Sequence, residues 1–389
     1  MLQDKAPFSL YIHIPYCVSK CPYCDFNSHV VPKIPEREYT AALLKELDSY
    51  ALSDDWQGRP LKSIFFGGGT PSTFSPASIG KILEKAAALF SLEKDVEITL
   101  EANPGTVDSA NFSGYRSCGV NRISLGAQSF QPHLLKFLGR VHTAEESREA
   151  LRIVQQAGFD NFNLDLIYAS PGQSLSDLKG DLDEALSFYP PHLSAYNLTI
   201  EEGTPFHREY QQGRIRSLPE ETEIAMAEVI EERLARDRLE RYEISNYARP
   251  GRHSRHNVNY WQLGDYLGIG AGAHSYKRTA NNGAWGLRWH NEKNPGRYME
   301  MIERGGQAVV GEEKSDPKKA AGEFMFLGLR MIRGISLAEF SSRFGKSPPE
   351  SYPQINDWIK EGLMERKSDH LRLTRRGLML ANSIFVEFV

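Results

Sequence analysis

Three cysteines stand within eight positions of one another in the stretch HIPYCVSKCPYCDFNS, residues 13–28. They are Cys17, Cys21 and Cys24, in the arrangement C-x3-C-x2-C. Thiolates are soft ligands, and three of them on one loop favour an iron–sulfur cluster, zinc or copper(I). The spacing therefore predicts a metal-binding loop near the start of the chain.

The number of cysteine ligands restricts which kind of metal centre the loop can hold. Structural zinc uses four ligands, commonly from two separate C-x2-C pairs, and this sequence has one such pair. Zinc completed by His13 and His29 is the alternative. A cube of four irons held by three thiolates leaves one iron open. A molecule with an amine and a carboxylate can chelate that iron, and S-adenosylmethionine carries both groups.

Alternating strand and helix patterns must position this loop. Six apolar, β-branched or aromatic runs are separated mostly by amphipathic segments, an order that predicts parallel β/α units. Six units predict an α/β fold with an incomplete parallel (β/α)6-type TIM barrel rather than a closed eight-fold one. The predicted strands are FSLYIHI, KSIFF, VEITLEAN, NRISLG, NFNLDLIY and HLSAYNLTI, and the clearest helices are EREYTAALLKELDSYAL, SPASIGKILEKAAALF, TAEESREALRIVQQAG and SLSDLKGDLDEALSFY.

The texture of the sequence divides the chain into three regions. Residues 1–200 hold the barrel units and the cysteine loop. Residues 201–315 are expected to form a C-terminal extension that completes one side of the barrel, and within it RYEISNYARPGRHSRHNVNYW predicts a strand. Residues 316–389 predict short helices and a strand pair, the order of a small winged-helix-like domain.

Composition sets the class of protein. The chain has 389 residues, a net charge of −4 and a pI near 6.3, which gives no overall attraction to nucleic acid. The N-terminus resembles neither a signal peptide nor a membrane span, so we expect a cytoplasmic protein. Peripheral membrane association is left open. The fourth cysteine, Cys118, stands alone and is interpreted as a packed apolar side chain.

The loop YIHIPYCVSKCPYCDF resembles the cluster loop of radical S-adenosylmethionine proteins. The segments GGGTP, EANP, SLGAQSF, LGRVH and NFNLDLIYASPGQ follow it in an order that resembles the oxygen-independent coproporphyrinogen III oxidases over nearly the whole chain. The resemblance implies that the three cysteines hold a 4Fe–4S cluster. It also implies contacts to S-adenosylmethionine from Tyr11, Tyr23, Gly68, Gly69, Thr70, Glu101, Gln128, Arg140 and Asp165. Members of the family reduce the cluster by one electron, supplied by a donor such as a flavodoxin or a ferredoxin, and cleave S-adenosylmethionine to methionine and a 5′-deoxyadenosyl radical.

Two departures separate the chain from the oxidases. Their loop continues to a fourth cysteine where this chain has Phe26, and only sixteen residues precede Cys17, which predicts that their longer N-terminal arm is missing. Both features resemble the haem chaperone branch, as does HNVNYW, residues 256–261. An imidazole can ligate haem iron and aromatic rings can cover a porphyrin. The candidate haem residues are His256, Asn257, Tyr260 and Trp261.

Several alternatives stay open. His256 and Asn257 could cap a loop while the aromatic residues fill a core. His274 in GAGAHSY is interpreted either as a structural histidine or as a contact to a second S-adenosylmethionine or to a porphyrin edge. The run RPGRHSRH, residues 249–256, could receive haem propionates or be a solvated loop.

The resemblance predicts a haem chaperone that binds haem as cargo and transfers it to acceptor haemoproteins. The alternative is a coproporphyrinogen III dehydrogenase that performs two oxidative decarboxylations. We expect a fold able to cleave S-adenosylmethionine reductively but without the dehydrogenase activity. The region 201–315 is the expected haem or substrate region, and a homodimer is left open.

A third class of function is a DNA-binding regulator with an iron–sulfur sensor. Winged-helix domains commonly bind nucleic acid, and basic residues stand near the predicted wing. The acidic net charge and the apolar ending LMLANSIFVEFV favour a lid, a haem-transfer surface or a dimer contact, so no nucleic acid partner is expected. The wing residues are Arg366, Lys367, Arg372, Arg375 and Arg376.

Overall fold

The computed structural model describes residues 6–279 and 285–389. Six parallel strands form the centre of its large sheet, and each pairs with the next in chain order. Their apolar side chains are buried on both faces, as expected for parallel strands that are covered by helices. The strands are β1 (Phe8–Ile14), β2 (Pro60–Gly68), β3 (Ser91–Ala102), β4 (Arg122–Gln128), β5 (Phe162–Tyr168) and β6 (His192–Asn197).

Helices connect these strands. Several begin at a residue whose side chain accepts a hydrogen bond from the first helical turn, such as Ser75, Thr143 and Ser174. The four helices predicted from the sequence are confirmed. The helices of this part are α1 (Glu36–Ala51), α2 (Pro76–Leu89), α3 (Ser109–Ser117), α4 (Pro132–Phe137), α5 (Ala144–Gln156) and α6 (Leu175–Ser187), with short 3₁₀ turns at Pro71–Thr73 and Pro104–Thr106.

The sheet is extended at both edges by the region that follows. The strand order is β12-β11-β10-β9-β1-β2-β3-β4-β5-β6-β8-β7, so the first and last strands do not meet. The predicted incomplete barrel is therefore confirmed. The added elements are α7 (Pro205–Gln211), α8 (Glu220–Arg236), β7 (Glu240–Arg241), β8 (Asn246–Ala248), α9 (Arg255–Trp261), β9 (Tyr266–Ile269), β10 (His274–Lys277), β11 (Gly286–Asn291), α10 (Pro295–Gly305) and β12 (Val309–Ser315).

One prediction for this region was only partly right. The segment that ends in HNVNYW was expected to be a strand; Asn246–Ala248 within it form β8, but its last seven residues form helix α9. The side chain of Ser254 accepts a hydrogen bond from the amide of Asn257 and caps the helix. The helical turn places His256 and Tyr260 on one face, four residues apart.

The end of the chain forms a second apolar core around a small antiparallel sheet. Its order of helix, short strand, helices and strand pair confirms the winged-helix-like prediction. Among the described residues, no helix is both long and apolar enough to cross a membrane. The elements are α11 (Pro317–Gly328), β13 (Ile335–Ser336), α12 (Leu337–Phe344), α13 (Pro348–Ser351), α14 (Ile355–Lys360), β14 (Met364–Lys367), β15 (His370–Leu373), α15 (Arg375–Met379) and α16 (Ala381–Val386).

Candidate cofactor site

The loop between β1 and α1 carries the three cysteines and is closed by its own backbone. The amide of Cys17 donates to the carbonyl of His29 at 3.0 Å, and the amide of His29 donates to the carbonyl of Pro15 at 2.7 Å. The ammonium of Lys20 donates to the carbonyls of Phe26 and Ser28. These bonds hold the two ends of the loop together and present the cysteines above the C-terminal end of the sheet.

A cavity of about 450 Å³ lies beneath the loop, and we call it the cluster cavity. All three cysteines line it together with eight of the nine residues to which the resemblance assigns a contact with S-adenosylmethionine. The cavity lies where β2 to β6 end, the edge of a parallel sheet at which binding sites form. The predicted residues that line the cluster cavity are Cys17, Cys21, Cys24, Tyr23, Gly68, Gly69, Thr70, Glu101, Gln128, Arg140 and Asp165.

Tyr11 is the ninth predicted residue, and it lines the adjoining cavity described below rather than the cluster cavity. It lies in the middle of β1, and its hydroxyl is 3.0 Å from Nδ1 of His13. Nε2 of His13 is 2.8 Å from the carbonyl oxygen of Asn27. Neither Tyr11 nor His13 lines the cluster cavity. In residues 6–279 and 285–389, no three histidine, cysteine, aspartate or glutamate side chains form a site for a single metal ion.

Two of the thiols receive hydrogen bonds from cavity residues. The Thr70 hydroxyl donates to Sγ of Cys17 at 3.4 Å, and Nη1 of Arg140 donates to Sγ of Cys21 at 3.3 Å. Asn103 connects the two donors, because its amide donates to the Thr70 hydroxyl and its carbonyl oxygen accepts from Arg140. Sequence reasoning missed Asn103, although it stands inside the quoted EANP motif.

This donor set fits an iron–sulfur cluster. Hydrogen bonds and a guanidinium beside the sulfur atoms stabilise thiolates, which are the form that binds iron. Nε of Arg140 is buried and has no hydrogen-bond partner within the described part of the chain, so the guanidinium can still donate a hydrogen bond to a ligand oxygen. The family's cluster and S-adenosylmethionine are thus both compatible with the residues present.

The GGGTP segment lies directly against the cysteine loop. The amide of Gly69 donates to the carbonyl of Ile14, and the amide of Thr70 donates to the carbonyl of Tyr16, both at 2.8 Å. A Cβ atom at Gly69 would lie 2.6 Å from the carbonyl oxygen of Tyr16 and 2.8 Å from its amide nitrogen. Close packing of these two backbones therefore requires glycine at position 69.

We expect Gly69→Ala to displace the backbone just before Cys17. After anaerobic reconstitution the variant should hold less than about half of the iron held by the native chain, because interiors relax poorly around an added atom. Gly105→Ala is the matched control, since a Cβ there would have its nearest neighbour at 3.9 Å. Equal iron contents in both variants and the native chain would contradict the role given to Gly69.

Two half-buried carboxyl groups, those of Glu101 and Asp165, line the cluster cavity. Burial, and then the negative charge of Asp165, raise the pKa of Glu101 to about 8. Burial also raises the pKa of Asp165, which accepts hydrogen bonds from Ser124 and Asn163. Oε2 of Glu101 accepts a hydrogen bond from the amide of Gly68 at 3.2 Å. A ligand with a positive charge would stabilise this pair in its ionised form.

Gln128 enters the cavity from a strained turn. Its φ of 67° is left-handed, a region that glutamine rarely adopts. The turn is fixed by the buried carboxylate of Asp181, which accepts from the Ser129 hydroxyl at 2.8 Å and from the amide of Phe130 at 2.7 Å. Strained conformations of this kind are maintained at functional sites by surrounding structure. Sequence reasoning did not identify Asp181, which lies on α6, far from Gln128 in the chain.

A second cavity, of about 500 Å³, adjoins the first, and we call it the aromatic cavity. Phe26 and Asn27 of the cysteine loop line one side of it, and α9, β9, β10 and β11 line the other. Gly68 and Glu101 line both cavities. The aromatic and cationic residues around it are Tyr11, His13, Phe26, Tyr260, Trp261, Tyr266, His274, Tyr276, Arg288 and Lys293.

The four residues predicted from HNVNYW do not all line this cavity. Trp261 and Tyr260 line the aromatic cavity, whereas His256 and Asn257 line, together with Tyr260, a smaller inner cavity of about 170 Å³. Nδ1 of His256 is 3.0 Å from the Ser63 hydroxyl, and Nε2 is 2.8 Å from the Tyr260 hydroxyl. Burial lowers the pKa of His256 to about 3. Both ring nitrogens are thus engaged inside the protein.

The basic wing residues are partly paired within the chain. Arg372 donates to the Glu365 carboxylate, Arg375 lies 3.3 Å from the Glu231 carboxylate of α8, and Arg376 donates to a backbone carbonyl. The second domain is therefore joined to the barrel region through Arg375, which favours a structural use of this charge.

Comparisons with known proteins place the chain in a class. A model of the radical SAM superfamily matches residues 11–185, and a model of the HemN C-terminal domain matches residues 316–380. The solved structure of coproporphyrinogen III oxidase (HemN) from Escherichia coli superposes with a TM-score of 0.82 at 20% sequence identity, over 98% of this chain and 90% of that one. The fold and the three-cysteine site thus define a radical S-adenosylmethionine protein with the architecture of that oxidase.

Curated relatives identify the branch. The heme chaperone HemW of Escherichia coli is 39% identical, and that of Haemophilus influenzae is 40% identical, each over 98% of both chains. The heme chaperone HemW of Bacillus subtilis is 34% identical over 98% of this chain and 99% of its own. The chain belongs to the HemW heme chaperone family.

Proposed function

We propose that this protein binds haem in the aromatic cavity, beside a 4Fe–4S cluster with S-adenosylmethionine, and passes the haem to acceptor haemoproteins. The observation that carries the proposal is the arrangement of the two cavities, which share Gly68 and Glu101. One has the thiols and polar groups that a cluster and its ligand need. The other has the flat apolar side chains that a porphyrin needs.

In the cluster cavity, Cys17, Cys21 and Cys24 would hold the cluster. When bound there, the cluster and S-adenosylmethionine supply a one-electron reductive cleavage that yields a deoxyadenosyl radical. Arg140 can pair with the ligand carboxylate, and Glu101 and Asp165 provide negative charge for its cationic groups. Gln128 and Thr70 offer hydrogen bonds that fix its orientation.

In the aromatic cavity, Tyr260 and Trp261 would cover the macrocycle. Tyr260 packs edge-on against Tyr266 with ring centroids 4.6 Å apart, and the Arg330 guanidinium lies 4.4 Å from the centre of the Trp261 ring. These contacts keep both aromatic residues in place. Lys293 lies on the same cavity and can pair with a propionate. Arg288 also lines the cavity, but it is already paired with the Glu323 carboxylate at 3.0 Å. The cavity thus offers apolar cover on one part and positive charge on another.

The alternative function, coproporphyrinogen III dehydrogenase, uses the same fold. It is favoured by the likeness to the oxidase structure. An anaerobic assay with coproporphyrinogen III, S-adenosylmethionine and a flavodoxin or ferredoxin as electron donor separates the two functions. We expect haem to bind and no protoporphyrinogen to form, because Phe26 occupies the loop position where the resemblance gives the oxidases a further cysteine. Formation of protoporphyrinogen would overturn the chaperone proposal.

Further parts of the proposal concern partners and location. We place the protein in the cytoplasm, where a flavodoxin or ferredoxin can reduce the cluster. Peripheral contact with a membrane would bring the protein to membrane-bound acceptors. A homodimer is a further part of the proposal, and light scattering of the haem-loaded chain would detect it. The exposed apolar side chains Val18 and Val30 lie on the cysteine loop and offer a surface for such contacts.

A further inference from the structure

We propose that His274, and not His256, is the side chain that ligates haem iron in the aromatic cavity. The inference rests on the proposed function, since it names the iron ligand of that same site. His274 begins β10, its side chain is exposed, and it lines the cavity opposite the aromatic residues of α9. Its imidazole can donate a nitrogen lone pair to the iron, a bond that involves no change of oxidation state.

The case begins with the state of His256. It is 1% exposed, both its ring nitrogens lie within hydrogen-bond distance of hydroxyl groups, and its ring stacks on Phe65 with centroids 4.9 Å apart. Ligation of iron there would break one of these bonds and leave the hydroxyl of Ser63 or Tyr260 without its partner. Leaving a buried polar group unsatisfied opposes binding.

His274 has the opposite properties. Within the described residues, neither of its ring nitrogens has a hydrogen-bond partner, although the ring stacks on His290 with centroids 5.2 Å apart. The two histidines lie directly opposite each other on β10 and β11. Gly311 of β12 pairs with His290, and a Cβ atom there would lie 2.3 Å from the His290 ring. The absence of a side chain at position 311 therefore provides the space in which this ring lies. The stacked ring therefore supports His274 from behind while its edge stays free.

The turn that presents His274 is held by a buried carboxyl group. Glu46 accepts hydrogen bonds from the Gly270 amide at 2.9 Å, from the Asn291 amide group at 2.7 Å and from the Tyr298 hydroxyl at 2.6 Å. These bonds tie the loop before β10 to the residue that follows His290. Because this turn is held in place, the His274 side chain would lose little conformational freedom on binding iron.

The position also suits the rest of a haem. Lys293 follows β11 and lines the cavity, so a cation for a propionate lies beside the candidate ligand. Arg288, two residues before His290, is paired with the Glu323 carboxylate. Phe26 on the cysteine loop and Trp261 on α9 line other sides of the same cavity. A porphyrin bound to His274 would thus contact apolar side chains and a positive charge. The buried His256 would keep both of its hydrogen bonds.

The test is a titration of the full-length chain with ferric haem, followed by absorption spectroscopy of the Soret region and electron paramagnetic resonance. We expect the native chain to show a histidine-ligated spectrum. His274→Ala should lose that spectrum and bind ferric haem roughly tenfold or more weakly, and added imidazole should restore the spectrum. His133→Ala, which removes an exposed histidine of α4 outside the cavity, should behave like the native chain.

Metal-free protoporphyrin IX separates this inference from the proposed function. It has no iron to ligate, so native chain and His274→Ala should bind it equally. An unchanged histidine-ligated spectrum in His274→Ala, together with its loss in His256→Gln, would overturn the assignment of the ligand and leave the haem function standing. Failure of the native chain to bind either haem or protoporphyrin would overturn the proposed function, and the inference with it.

Discussion

Replacement of Cys17 by alanine is expected to abolish the cluster. The native chain, purified or reconstituted without oxygen, should hold about four irons and four sulfides, the composition of a 4Fe–4S cube. Cys17 is one of only three thiols that line the cluster cavity, and its sulfur accepts the Thr70 hydrogen bond. Two thiolates do not retain a cube that already has one open iron. Iron and sulfide analysis and the charge-transfer absorption of the cluster measure the loss.

Cys118→Ala is the matched control for this prediction. Cys118 follows α3, is partly buried, and donates to the carbonyl of Tyr115, away from the cluster cavity. Its removal should leave the iron content unchanged. If Cys17→Ala retained a full complement of iron and sulfide, the three cysteines would not be the ligand set.

Glu101→Gln is expected to reduce the pH dependence of S-adenosylmethionine binding. Because burial and Asp165 raise the pKa of Glu101 to about 8, the carboxyl group is protonated in the ligand-free protein below that pH. The sulfonium of the ligand is permanently positive and favours the ionised form, so binding releases a proton. Affinity should therefore rise with pH up to about 8, by as much as about tenfold per pH unit, and then level off.

The variant also provides a control for folding. An acid whose folded-state pKa lies above its unfolded value makes the folded state less stable as pH rises from about 4.3 to about 8. Glu101→Gln lacks this effect, so its Tm near pH 8 should be no lower than that of the native chain. Isothermal titration between about pH 6.5 and 8.5 measures the affinity. The same pH slope in native chain and variant would show that Glu101 does not bind the cation.

Most of the cluster cavity could be predicted from the sequence. Parallel β/α units bring the C-terminal ends of successive strands to one edge of the sheet, so residues such as Glu101 and Asp165 had to lie near the cysteine loop. Tyr11 was different because it lies in the middle of β1 rather than at its end. Whether a side chain in mid-strand reaches the cavity depends on packing, and local sequence does not specify it.

The aromatic cavity was predicted less completely for a related reason. The HNVNYW motif suggested one group of haem contacts, but α9 turns His256 toward Ser63 and Phe65 of β2, nearly two hundred residues away. That contact is tertiary and has no signature in the motif itself. His274 drew attention in the sequence only because glycines precede it. Its exposure and its stacking on His290 emerge when β10 pairs with β11.

The position of Phe26 explains a departure from the oxidase pattern. The residue is 63% exposed and lines both the aromatic cavity and the cluster cavity at the cysteine loop. In our proposal the residue that replaces a further cysteine gives the loop a surface for the porphyrin, which connects the cluster loop physically with the cargo.

Transfer of haem to an acceptor tests the central claim most directly. The full-length chain is loaded with haem, freed of excess haem by gel filtration, and mixed with the apo form of a bacterial b-type haemoprotein. The account predicts that the Soret band of the acceptor replaces that of the chain, at a rate that rises with acceptor concentration. A chain that holds no haem after gel filtration, or that releases it at one rate whatever the acceptor concentration, would contradict the account.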